Sequence, residues 1–198
     1  MDYRILKHEI AYQGFFRMDR YQLEHQLYAG GWGSPLTREL FERGHAAAVL
    51  PYDPELDAVV FLEQFRIGAL QAPGGPWLME IVAGIIEPGE LPEEVIGREC
   101  KEEAGLELGE AEFICDFLVS PGGTSERIAL YCGRVDAAKA GGVHGLVEEG
   151  EDIRVTRVAY AEACELLAAG RLNSASVIMA MQWLMMNRER IREEWVDS

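Results

Sequence analysis

The order of apolar and polar positions divides the chain into many strand-like stretches and few helices. Residues 12–17 and 21–28 are rich in aromatic and branched residues and partly alternate, which predicts two strands. The turn sequence Ala29-Gly30-Gly31-Trp32-Gly33-Ser34-Pro35 separates them from a third strand at 36–41, ended by Arg43-Gly44. Residues 46–50, halted by Pro51-Tyr52-Asp53-Pro54, and residues 58–66 form a predicted hairpin. The stretch Gln71 to Trp77 is a loop, and 78–83 is one short apolar strand ending at Gly84. Strands at 112–119 and 127–135 flank the loop Ser120-Pro121-Gly122-Gly123-Thr124-Ser125-Glu126, and another strand lies at 153–158.

Helix signals are sharp in one place. Pro92 suits a first helical position, Glu93 and Glu94 suit the positive end of the dipole, and Gly105 suits the position just past the end. These predict a helix over 92–104. Further helices are expected at 161–169, capped by Gly170, and at 174–194. Residues 140–152 form a long, glycine-rich, acidic loop, a length that usually serves function. Strands interleaved with a few helices predict a mixed sheet with helices on its faces.

The 92–104 helix breaks the amphipathic rule. At 100° per residue Val95, Ile96, Cys100 and Ala104 make one apolar stripe, and Glu99 and Glu103 fall inside it, one turn apart. Glu102 lies at its edge. Two readings are open from the helix alone. Its glutamates hydrate at the surface, or a divalent cation compensates them, because bare burial of a carboxylate is expensive. Hard oxygens at close range suit Mg²⁺ or Mn²⁺.

Composition narrows the picture. The chain has 198 residues, 48% of them apolar, enough for one core with a small annex. With 18 basic and 34 acidic residues the net charge is −16. That disfavours a nucleic-acid partner, which calls for a basic stripe, and is compatible with a cation-loaded carboxylate site. Cys100, Cys115, Cys132 and Cys164 form no C-x-x-C pair and are expected to be reduced, inert thiols. No stretch approaches a membrane span, and residues 1–7 carry no signal pattern, so the expected place is the cytoplasm.

The wider spacing around the helix carries a resemblance. Gly84, five residues, Glu90, seven residues, then Arg98-Glu99-Cys100-Lys101-Glu102-Glu103-Ala104-Gly105-Leu106 resembles the Nudix box, G-x5-E-x7-R-E-U-x-E-E-x-G-U. Every charged and glycine position matches, and Cys100 stands where a bulkier aliphatic is usual. Pro121 lies fifteen residues beyond Leu106, resembling the mark of the ADP-ribose pyrophosphatases. That likeness extends to Gly14-Phe15-Phe16, to residues 38–46, to Glu63-Gln64-Phe65-Arg66, to 76–80 and to 144–152, nearly the whole chain.

The resemblance implies a Nudix α/β/α sandwich with a mixed sheet, residues 46–198 being the catalytic domain and 1–45 a β annex. It implies a homodimer in which the annex reaches the partner's site. The implied activity is Mg²⁺-dependent hydrolysis of ADP-ribose to AMP and ribose 5-phosphate, with Mn²⁺ as a second possible cofactor. Glu99, Glu103 and the Ala83 carbonyl would hold metal, with Glu102 auxiliary and Glu151 a further ligand. Gly84 lets the backbone approach, and Arg98 and Glu90 pair to fix the loop on the helix. Glu149 would take the proton of the attacking water, with Glu148 one residue away. Phe15 and Phe16 would sandwich the adenine between them, and Arg38 and Glu39 would grip adenine or ribose edges. Arg43 and Arg66 would meet phosphates, and Ile85, Ser120, Pro121, Gly122 and Glu126 would complete the substrate contacts. His45 and His144 are expected in structural roles. A Nudix hydrolase of another nucleoside diphosphate sugar, such as GDP-mannose, and a non-catalytic ADP-ribose sensor are the rival readings.

Overall fold

A computed structural model describes residues 1–196, apart from the side chain of Glu149. Its contacts divide the chain into two units. One comprises Met1–His45 with Leu118–Arg127, and the other comprises Ala46–Phe117 with the chain from Ile128 onward. The segment at 118–127, which the sequence pattern leaves within the second region, packs with the first.

The first unit is an antiparallel sheet of β1 (Tyr3–Gln13), β2 (Arg17–His25) and β3 (Leu36–Glu42), in that order. The first strand therefore precedes the expected 12–17, and Gly14-Phe15-Phe16 is the hairpin turn. The pattern misses β1 because nearly all of it is exposed, including Tyr3, Ile5, Leu6, Ile10 and Tyr12, so neither face imposes alternation. The 118–127 segment joins this sheet through the Phe41 N–H, which donates to Gly123 O at 2.8 Å, and through Ser125, whose hydroxyl donates to Glu42.

The second unit is built on an 8-stranded sheet. Its order is β10 (Val143–His144), β11 (Ile153–Ala159), β5 (Ala58–Phe65), β4 (Ala46–Asp53), β9 (Arg127–Arg134) and β8 (Ala111–Leu118). Short strands β6 (Trp77–Glu80) and β7 (Val82–Ile85) pair with β5 and β4 respectively. The single apolar strand expected at 78–83 is thus two strands, and the break at Ile81 lets the chain change partners. Strand β4 also runs through Pro51 to Asp53. Along one edge it pairs with β7 over 46–49 and with β5 at 52–53, so Pro51 falls at the handover, where a residue without an N–H is tolerated.

Helices cover both faces. Alternation along β4 and β5 sends Ala48, Leu50, Tyr52, Val59 and Phe61 toward α2 (Tyr160–Ala168) and α3 (Ala175–Val196). Ala47, Val49, Val60 and Leu62 point the other way, onto Val95, Ile96, Cys100 and Ala104 of α1 (Pro92–Ala104). Both faces being covered explains why β4 reads as a continuous apolar run. Each fully buried Val or Ile on the α1 stripe contributes about 1.5–3 kcal/mol. The four cysteines are free, with Cys100 and Cys132 buried. Among the described residues no helix is long and apolar enough to cross a membrane.

Candidate active site

Helix α1 starts and stops where its end signals predict. Glu94 accepts from the Leu91 N–H at 2.9 Å, and Gly105 closes the helix in the left-handed region at φ 66°. The stripe it buries includes Glu103, which is 3% exposed, with Glu99 half-buried beside it. These glutamates do not simply hydrate.

Glu103 reaches the β7 backbone, where the Ala83 N–H donates to its Oε2 at 3.0 Å. Loss of water pushes its carboxyl up to about 8. The Ala83 N–H opposes that rise, the charges of Glu99 and Glu151 add to it, and Arg66 counters part of it. Burial also raises Glu99, against the lowering effect of Arg98 and with Glu102 and Glu151 adding to the rise. Gly84 explains itself by contact, since a Cβ there would collide with the Glu99 carboxylate.

Arg98 ties the loop to the helix. Its Nε lies 3.3 Å from Glu90 Oε1, and its Nη1 lies 2.7 Å from Glu99 Oε1 and 3.1 Å from Glu102 Oε2. Glu90 also accepts from the Glu87 N–H at 2.9 Å, which with Arg98 holds it below the usual carboxylate range. Among the described residues no three carboxylate, imidazole or thiol groups stand close enough together to cage a metal ion. The Arg98 guanidinium lies between the glutamates instead. A nearly buried acid with a strongly raised pKa, two further carboxylates one turn and one residue away, and a glycine cleared for close approach form a hard-oxygen donor set. By the chemistry of its donors, though not by their spacing in this structure, that set suits a divalent cation.

The acidic loop contributes Glu151, whose Oε2 accepts from the Leu146 N–H at 3.0 Å. The Glu149 backbone lies in a short helical turn, Val147–Glu149, and its side chain lies outside the described residues. Neighbouring Glu148 is exposed. Just past the end of β5, Arg66 pairs with Glu80 at 2.6 Å, a partner the sequence pattern did not offer. Gln64 is 6% exposed, and its Nε2 has no partner. By alternation it shares the α1 face with Leu62. Ile85 closes β7 opposite Ala46 and is 41% exposed.

The remaining candidates lie in the first unit. Phe15 is 90% exposed at the hairpin tip and meets Phe16 edge to face at 4.8 Å, not as a parallel jaw. Phe16 packs on Phe41 at 5.1 Å and lies under the Arg43 guanidinium. Arg43 reaches the buried Glu126 at 3.5 Å. Arg38 donates to the Thr37 carbonyl, and Glu39 pairs with Arg20 at 2.9 Å. Ser120, Pro121 and Gly122 form a turn in which Ser120 O accepts from Gly123 and Thr124 at 3.0 Å. His45 Nδ1 accepts from the Arg127 N–H.

Comparison with known proteins bears on this arrangement. The NUDIX domain pattern matches residues 42–125. An ADP-ribose pyrophosphatase of Escherichia coli (strain K12) is 45% identical over 194 residues, 98% of this chain and 93% of that one. One of Haemophilus influenzae is 42% identical over 200 residues, 100% of this chain and 92% of that one. A GDP-mannose pyrophosphatase of Cronobacter sakazakii is 36% identical over 151 residues, 75% of this chain and 78% of that one. A crystal structure of an ADP compounds hydrolase superposes with a TM-score of 0.73 at 20% identity, covering 98% of this chain and 96% of that one. At that identity the superposition speaks for the fold.

Proposed function

Because the chain belongs to the Nudix family, we propose that it hydrolyses the diphosphate of ADP-ribose, giving AMP and ribose 5-phosphate. What carries the choice of substrate is the extent of the likeness. Relatives named ADP-ribose pyrophosphatase match 98% to 100% of the chain, annex included, whereas the GDP-mannose pyrophosphatase matches 75%. All the box glutamates are present, which argues against a non-catalytic ADP-ribose sensor.

In this reading Glu99, Glu103 and the Ala83 carbonyl hold Mg²⁺, or Mn²⁺ in its place, with Glu102 and Glu151 as further ligands. Such a cation neutralises the diphosphate and acidifies a bound water. Glu149 takes a proton from the attacking water as the new P–O bond forms and the bridging P–O bond breaks. Arg98 holds the glutamates in register through Glu90, and Gly84 keeps the approach open. Arg66 and Arg43 bind phosphate oxygens. Ile85, Ser120, Pro121, Gly122 and Glu126 contact the substrate. Phe15 stacks on adenine with Phe16 behind it, and Arg38 and Glu39 bond its edges or those of the ribose.

Residues 46–198 are the catalytic domain and 1–45 a β annex that forms a homodimer, with the protein acting in the cytoplasm. The exposed apolar residues Tyr3, Ile5 and Ile10, which the register places on one set of alternate positions of β1, support the dimer. The deciding experiment compares initial rates on ADP-ribose and GDP-mannose in Mg²⁺, with products identified by mass. Faster turnover of GDP-mannose, or binding of ADP-ribose without turnover, would overturn the reading.

A further inference from the structure

The acidic loop is fastened to the last turn of the carboxylate helix, and His144 is at the fastening. Its Nε2 lies 2.8 Å from the Gly141 carbonyl. A carbonyl only accepts, so this nitrogen carries the proton and donates. The ring lies against Gly105 so closely that a Cβ there would overlap Cε1 and Nδ1. Gly105 thus needs to be glycine twice over, for its positive φ and for the imidazole that covers it. The next N–H, that of Gly145, donates to the Glu102 carbonyl at 3.2 Å, satisfying one of the acceptors that a helix end leaves open. Beyond it, Leu146 and Glu151 bond reciprocally. The Leu146 N–H donates to Glu151 Oε2 at 3.0 Å, and the Glu151 N–H donates to Leu146 O at 3.2 Å. This closes a small loop whose tip is Val147–Glu149. On its other side His144 pairs with Ile153, the first residue of β11.

Glu102 in the last turn of α1 and Gly105 just past its end, His144 and Gly145 at the loop base, then Leu146 and Glu151 form one unbroken chain of contacts. We propose that His144 is a positioning residue for the reaction: it clamps the base of the 146–151 loop on the end of α1, and so sets Glu151 and the backbone of Glu149 relative to Glu99, Glu102 and Glu103. The proposal rests on the functional reading above. The imidazole acts mechanically, because its Nε2 proton is committed to Gly141 and its Cε1–Nδ1 edge abuts Gly105.

The test uses His144→Ala, His144→Gln and Gly105→Ala in the full chain. Gln places an amide donor near the position of Nε2 and can still reach the Gly141 carbonyl. Hydrogen exchange is read at the Gly145 and Leu146 amides without added metal. Then kcat, KM for ADP-ribose and the Mg²⁺ concentration for half-maximal rate are measured. His144→Ala is expected to speed exchange at those two amides while the β4 and β5 amides stay protected. It should lower kcat by about tenfold to a hundredfold, the scale of misplaced reacting groups, raise the Mg²⁺ requirement, and leave KM little changed. His144→Gln should recover most of both losses. Gly105→Ala should loosen the same amides, and less so in the His144→Ala background, where the ring it strikes is gone. Unchanged exchange at Gly145 and Leu146, unchanged kcat, or a loss shared by the β4 and β5 amides that Gln does not rescue would overturn the proposal. If the wild type does not hydrolyse ADP-ribose, the functional reading fails, and the exchange comparison still decides whether the clamp exists.

Discussion

Two buried carboxylates, one in each unit, have opposite surroundings. Asp19 on β2 has no exposed surface, yet its pKa is lowered. Burial alone would raise it, but His8 at 2.9 Å and Arg17 at 2.7 and 3.1 Å outweigh that effect. Glu103 on α1 is 3% exposed; among the described residues it accepts from a neutral backbone N–H, it faces the charges of further carboxylates, and it is pushed up to about 8. Asp19 has a cation, Arg17, and a second donor, His8, built into the sheet, so its burial is a finished structural interaction. Among the described residues no cation forms an ion pair with Glu103, and the field of Arg66 offsets only part of its rise. A protein that keeps an acid in that condition expends stability on it, and such sites are where function concentrates.

The largest expected effects fall on the uncompensated side. Glu149→Gln keeps the size of the side chain but removes its basicity, so kcat should fall by about 10²–10⁴-fold with substrate affinity retained. Glu148→Gln should change little. A large loss there instead would move the proton acceptor by one residue. Glu99→Gln or Glu103→Gln should keep the fold and lower turnover by at least about a hundredfold. Glu151→Gln should show a loss that added Mg²⁺ partly restores.

A smaller effect concerns pH. Between the ordinary 4.5 and about 8, native Glu103 holds a proton that the unfolded chain has released. Stability from this group is therefore present below about 4.5 and is lost as pH rises toward and through about 8. Mg²⁺ should reverse the trend, raising the melting temperature more at pH 8 than at pH 6 and releasing a proton when it binds at pH 6.5. Equal stabilisation at both pH values would mean that Glu103 is not protonated without metal. The smallest effect belongs to Phe15. Being 90% exposed, it contributes little to the fold. Phe15→Ala should leave the melting temperature unchanged and raise KM for ADP-ribose by about twofold to tenfold, the range of an aromatic stacking pair.

The contrast also explains what could be read from the sequence. Helix α1 was legible because its end signals, its stripe and the intruding Glu99 and Glu103 are all local and sit at fixed spacing. The apolar run of β4 at 46–50 was legible because burial on both faces keeps polar residues out of it. Strand β1 was not, since a strand with both faces exposed carries no alternation. The break at Ile81 and the passage of β4 through Pro51 depend on which strand lies alongside, a tertiary fact. Within the site the box residues could be numbered from the chain. The Arg66–Glu80 pair, the fit of His144 on Gly105 and the packing of 118–127 with the first sheet join residues distant in sequence, and no spacing rule reports them.

The most direct test of the contrast is kcat on saturating ADP-ribose, measured side by side for the wild type, Glu103→Gln and Asp19→Asn, in Mg²⁺ and in a chelator. Asp19→Asn is assayed well below its melting temperature, which should be lowered because Arg17 loses its counter-charge and one of the two acceptor oxygens becomes a donor group facing donors. The account predicts Mg²⁺-dependent formation of AMP and ribose 5-phosphate by the wild type and Asp19→Asn alike, with Glu103→Gln nearly inactive at an unchanged fold. Wild-type turnover by Glu103→Gln, or a collapse of kcat in folded Asp19→Asn to the level of Glu103→Gln, would contradict it.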